Sequence, residues 1–102
     1  MNVVNLASQT HFSAVKPQKS MVADSPQARM VLFCLEPGQQ ILPHTSTSAV
    51  SLYVVEGEAT LHGSGEGTAV KAGTLVTYEP EESHGWRAET RLVVLATIAP
   101  AP

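Results

Sequence analysis

Two histidines stand out by their spacing. His44 follows Gly38 after five intervening residues, and His84 stands eleven residues beyond Gly73. Imidazole titrates close to neutral pH and is the side chain most often used to ligate metals or move protons. Trp86 lies two residues past His84, so on an extended strand the two share a face. Three carboxylates, Glu79, Glu81 and Glu82, sit in the turn leading into His84. One of them could complete a two-histidine, one-carboxylate set of the kind that serves non-haem iron, although three glutamates in a turn more often form a solvated surface. The phenol of Tyr78 could act as an acid if it reached the same place. Cys34 is the only cysteine, which excludes an internal disulfide and a cysteine-only metal site. It lies mid-strand among apolar residues, where a thiol behaves as a small hydrophobe. His11 and His62 fall outside this spacing.

The elements that position these residues read as strands. Val occurs 12 times and Thr 9 times, and both favour a pleated surface. Seven Gly and seven Pro break the chain into short runs, the pattern of a sandwich or barrel. No window of 12 or more residues shows a helical apolar period. The expected order begins with a strand at Val3–Ala7, an irregular or edge segment at His11–Lys19, and a turn at Asp24-Ser25-Pro26. Arg29–Glu36 is near-continuously apolar and so covered on both faces. Ile41–His44 carries Pro43, which marks an edge or a bulge. Ser51–Val55, Glu58–His62, Thr68–Lys71, Thr74–Tyr78, His84–Ala88 and Arg91–Ala99 follow as strands. The residues Gly63-Ser64-Gly65-Glu66-Gly67 read as a flexible hairpin loop, and Pro100-Ala101-Pro102 as a frayed tail. The reading is one all-β domain over residues 1–102, with the barrel at about 29–99 and a strand and arm at 1–28.

Composition narrows the function. The 102 residues are 43% apolar and 15% charged, which is globular rather than disordered. Net charge is −3 and the six Lys and Arg are scattered. No basic run is present to neutralise phosphates, so nucleic acid is not an expected partner. No apolar stretch approaches the ~20 residues of a membrane helix, and the first fifteen residues lack the basic and apolar regions of a secretory signal. A cytoplasmic location is the expectation.

The glycine and histidine spacing resembles the cupin superfamily, whose first motif runs G-x5-H-x-H-x3-E-x6-G and whose second runs G-x5-P-x-G-x2-H-x3-N. Gly38, His44 and Gly57 match the first, within Leu35-Glu36-Pro37-Gly38 and Tyr53-Val54-Val55-Glu56-Gly57-Glu58. Gly73 and His84 match the second, followed by Gly85 and Trp86. The resemblance covers Arg29 to Ala99. It implies a small double-stranded β-helix, or jelly-roll barrel, of the RmlC-like kind, with both histidine strands meeting in a pocket between two sheets. It also implies a homodimer paired through exposed strands.

Five departures bear on function. Ser46 stands where the resemblance places a second histidine, and Val50 where it places a glutamate. Glu81 replaces the second-motif glycine and Ala88 the asparagine, while Pro80 is displaced by one from the motif proline, leaving Glu79 at that position. A serine hydroxyl is a poor substitute for imidazole and valine has no donor, so half of the usual cation cage is missing. Three readings stand side by side. The first is a small-molecule binding barrel with a degenerate metal site, its pocket lined by His44, Ser46, Val50, His84 and Trp86. The second is a metal enzyme, dioxygenase- or isomerase-like, holding iron, manganese, zinc or nickel through His44 and His84 with Glu79 or waters. The third is metal-free proton transfer by a histidine, which needs a carboxylate to orient the ring. The missing ligands favour the first.

Overall fold

Short apolar runs broken by glycine and proline become nine strands in a computed structural model that describes residues 1–63 and 67–102. They are β1 Gln18–Asp24, β2 Arg29–Leu35, β3 Gln40–His44, β4 Ala49–Glu56, β5 Glu58–His62, β6 Thr68–Lys71, β7 Leu75–Tyr78, β8 His84–Ala88 and β9 Leu92–Ala99. The glycine-rich loop expected after β5 lies partly outside the described residues. All pairings are antiparallel. One sheet has the order β1-β2-β9-β4-β7 and the other β3-β8-β5-β6. Every sheet neighbour except β1–β2 and β5–β6 is non-consecutive in the chain, so the strands alternate between sheets as in a jelly roll.

Strand alternation fills the space between the sheets. On β4, Val50, Leu52 and Val54 point inward and are buried, while Tyr53 and Val55 point out. They meet Leu35, Leu92, Val94 and Ala96 from the same sheet, and Ala59, Trp86 and Ala88 from the other. The central strands β2 and β9 bury residues on both faces, as their unbroken apolar sequence requires. Gly57 ends β4 with φ +92°, and a Cβ there would overlap the Arg91 carbonyl, so the turn requires glycine.

The N-terminal region departs from expectation. Val3–Ala7 is not a strand. Leu6–Gln9 instead forms a single 3-10 turn, capped by Asn5 Oδ1 accepting from the Ala7 N–H at 3.0 Å. The segment His11–Lys19, expected to be irregular or an edge, is irregular up to Pro17 and then enters the edge strand β1. Leu6 and Phe12 of the arm pack on Leu32, Cys34 and Val93, the outward side chains of β2 and β9. Arg91 pins this cover: its guanidinium lies 4.6 Å from the Phe12 ring centroid and pairs with Glu36 at 2.6 Å. Gln39 Nε2 donates to the Ser13 carbonyl at 2.7 Å.

The tail is also held rather than frayed. The buried Ser48 hydroxyl donates to the Pro100 carbonyl at 2.6 Å, and the Ala101 N–H donates to Pro26 O at 3.3 Å. Among the described residues no helix is long and apolar enough to cross a membrane.

Candidate functional site

A bulge decides where His44 points. On β3, Ile41 pairs with Trp86 and His44 with His84, so three steps on β3 match two on β8. In a regular strand, residues 41 and 44 would face opposite ways. The extra residue reverses the parity and puts His44 on the inward side with Ile41. Pro43 sits in this irregular stretch, where the missing N–H does no harm. Gly85, between His84 and Trp86, lets β3 pass close: a Cβ there would come within 2.7 Å of Ile41 O and Pro43 N.

The turn before β8 holds the other side. Glu81 stands at the position of the motif glycine and has φ +69°, a left-handed conformation that costs a non-glycine residue roughly 1–2 kcal/mol. Its N–H donates to Ser46 O at 2.7 Å, tying the β7–β8 turn to the end of the β3 segment. The departure from glycine therefore leaves a left-handed turn in place and adds strain to it.

The two imidazoles are neighbours, with ring centroids 4.1 Å apart and planes tilted by 59°. His84 is only 4% exposed, whereas His44 is exposed at the barrel mouth. Each ring is oriented by its own backbone. His44 Nδ1 lies 3.0 Å from Leu42 O and His84 Nδ1 lies 3.1 Å from Glu82 O. A carbonyl can only accept, so each Nδ1 carries its proton, and in the neutral ring Nε2 presents a lone pair. Burial lowers the pKa of His84 below the usual imidazole value. The Glu82 carbonyl opposes that shift and His44 reinforces it. Tyr78 packs on His84 at 5.1 Å between centroids, and burial raises its phenol pKa, with Glu82 adding to the effect.

A chamber of about 230 Å³ opens beside these rings. The structure brings His44, Ser46, Val50, His84 and Trp86 together in its wall. Phe33, Leu52, Ala96 and Ile98 complete the apolar part, and Thr45 and Pro102 also line it. Phe33 meets Trp86 edge to face at 5.3 Å. The Trp86 ring is 2% exposed, yet its Nε1–H has no protein acceptor among the described residues. Phe33 was invisible as a site residue in the sequence, because β2 is apolar throughout and offers no alternation to show which side chains face in. Pro43 was the one sequence signal for the bulge that aims His44.

Among the described residues the donor set falls short of three protein ligands for a metal. Glu79, Glu81 and Glu82 are all exposed. Glu79 is absent from the chamber wall, and the Glu82 carboxylate is turned back to accept from the Glu79 N–H at 2.9 Å. Among the described residues no group of three or more His, Cys, Asp or Glu is arranged to hold an ion. Two imidazole lone pairs, a serine hydroxyl and a valine are what the four motif positions supply.

Comparison with known proteins agrees with this architecture. No curated protein matches the sequence. A crystal structure of TT1209 from Thermus thermophilus superposes with TM-score 0.92 at 26% identity, over 100% of both chains. An RmlC-like cupin from Desulfovibrio desulfuricans gives TM-score 0.91 at 28% identity, over 98% of this chain and 97% of that one. A Klebsiella pneumoniae protein with a double-stranded β-helix domain gives 0.90 at 25%, over 98% and 90%. The profile of the cupin domain matches residues 31–98, two-thirds of the sequence and every strand from β2 to β9, and the chain belongs to the cupin family.

Proposed function

We propose that the chamber is a binding site for a small organic molecule, held by shape and by the two imidazoles. One observation carries this reading. A volume of about 230 Å³ is left open in the barrel beside two adjacent imidazoles whose centroids are 4.1 Å apart. The remaining wall is apolar and aromatic, the usual lining of a small-molecule site.

The two Nε2 lone pairs favour a second reading, a divalent ion held by His44 and His84 with waters. Two neutral imidazoles alone give a weak, open site.

Trp86 is the sole tryptophan, so its indole N–H gives one NMR resonance that reports directly on the chamber. Phenol, a neutral probe of suitable size, is expected to shift that resonance and the His84 ring signals saturably. Val50→Phe, which fills the chamber, is expected to abolish the shift while the rest of the spectrum stays dispersed. Absence of any shift with phenol in the folded parent would overturn the reading. Metal analysis of the purified protein separates the second reading: stoichiometric metal that vanishes in His44→Ala and His84→Ala would replace the first with the second.

A further inference from the structure

The chamber does not end at His44. A wider groove of about 590 Å³ runs along the barrel mouth between β1 and β3, lined by Lys16, Gln18, Lys19, Gln40, Phe33 and His44 among others. Phe33 and His44 line both spaces, so the groove and the chamber adjoin across these two side chains. Together they have the size of an ordinary small-molecule site.

The groove carries two of the molecule's six Lys and Arg side chains. The protein carries a net charge of −3. Arg29, Arg87 and Arg91 are paired with Asp24, Glu89 and Glu36. Among the described residues neither Lys16 nor Lys19 has a carboxylate within ion-pairing distance. Two of the three lysines thus line one groove with no such partner, next to a chamber walled by two imidazoles.

We infer that the ligand is an amphipathic organic acid. Its carboxylate lies in the groove against Lys16 and Lys19, its short apolar body passes Phe33, and an oxygen at its far end enters the chamber. That oxygen lies against the two imidazoles, and where it is a hydroxyl it donates to an imidazole Nε2. Gln18 and Gln40 supply further amide donors along the groove. Lysine rather than arginine suits a carboxylate held as a point charge without a fixed fork. Both ammonium groups are exposed, so the charged end contributes modestly and is sensitive to salt. This inference rests on the binding reading above and names the chemistry of its ligand.

Two acid probes and two neutral ones test it on the full chain by the Trp86 indole resonance. The acids are 4-hydroxybenzoate and the longer 3-(4-hydroxyphenyl)propanoate. The neutral probes are phenol and 4-hydroxybenzamide. At low salt at least one acid is expected to bind about tenfold more tightly than either neutral probe, the effect of two weakly screened ion pairs. That advantage is expected to shrink to about twofold at ~0.5 M salt, and to disappear in Lys16→Gln/Lys19→Gln. Phenol should bind the double variant as it binds the parent. Equal binding of acids and neutral probes, or an acid preference that survives loss of both lysines, overturns the inference and leaves the chamber reading standing. Silence of the indole resonance toward all four probes overturns both.

Discussion

The outer and inner faces of the five-stranded sheet draw on the same strands. Each is covered by other parts of the chain. On the outer face, Leu32, Cys34 and Val93 lie beneath Leu6 and Phe12 of the N-terminal arm, with Val22 and Leu95 at the margin. Every side chain named there is apolar or a thiol, and burial raises the pKa of the Cys34 thiol. On the inner face, Val50, Leu52, Ala96 and Ile98 look across a chamber toward Trp86 and two histidines. Apolar burial alone accounts for the outer face. It does not account for the inner one, where volume is left open and a buried donor lacks a protein acceptor among the described residues. Close packing is the norm of protein interiors, so the two faces separate what holds the barrel together from what the barrel holds.

Truncation breaks the comparison most sharply. Leu32 is fully buried on the outer face. Leu32→Ala is expected to lower the unfolding free energy by about 2–5 kcal/mol, because the arm and the sheet cannot both collapse into the space. The chamber lies on the opposite face of the sheet, so phenol should still shift the Trp86 resonance of the folded fraction. Urea unfolding with indole NMR at low denaturant checks both parts.

Enlargement separates the faces by sign. Cys34→Leu adds bulk beneath the arm, where Leu32 and Val93 are already filled against it, and should cost about 1–3 kcal/mol. Val50→Leu adds one methylene toward the chamber, which has room for it. Its effect on stability should stay within about 1 kcal/mol of zero, while phenol affinity falls. If both substitutions destabilise alike, the chamber is not spare volume and the contrast between the faces fails.

The comparison also shows where sequence reasoning stops. The strands from β2 onward were legible because glycine and proline punctuate them, and the cupin resemblance was legible because Gly38, His44, Gly57, Gly73 and His84 keep their spacing. With position 50 turned inward, as the cupin resemblance implies, strand alternation puts Tyr53 outside, and it is exposed. β1 was not legible, because Gln-Lys-Ser-Met-Val has weak strand preference and is an edge strand set by pairing with β2. The arm was not legible either: Leu6 and Phe12 show no period and are placed by the outward side chains of β2 and β9. The Lys16–Lys19 groove forms only when the β1 edge comes to face β3, a long-range juxtaposition that no local pattern encodes. Likewise the docked tail depends on Ser48 reaching Pro100, fifty-two residues away.

The smallest expected effect concerns the turn that joins the two motif strands. Glu81 holds its φ of +69° at a cost in strain that glycine would not have. Glycine loses more backbone freedom on folding, which returns about 0.5–1 kcal/mol of that gain. Glu81→Gly should therefore stabilise the protein by a net ~0.5–1 kcal/mol, with the N–H bond to Ser46 kept because it belongs to the backbone. The side chain is exposed and makes no hydrogen bond among the described residues, so phenol binding and the His84 ring signals should be unchanged. A thermal unfolding midpoint that rises with an unchanged probe affinity places Glu81 with the scaffold. A midpoint that falls, or an affinity that drops with it, would mean that the carboxylate itself shapes the mouth of the chamber, and the line between packing and binding would then have to be drawn through this turn instead of through the sheet.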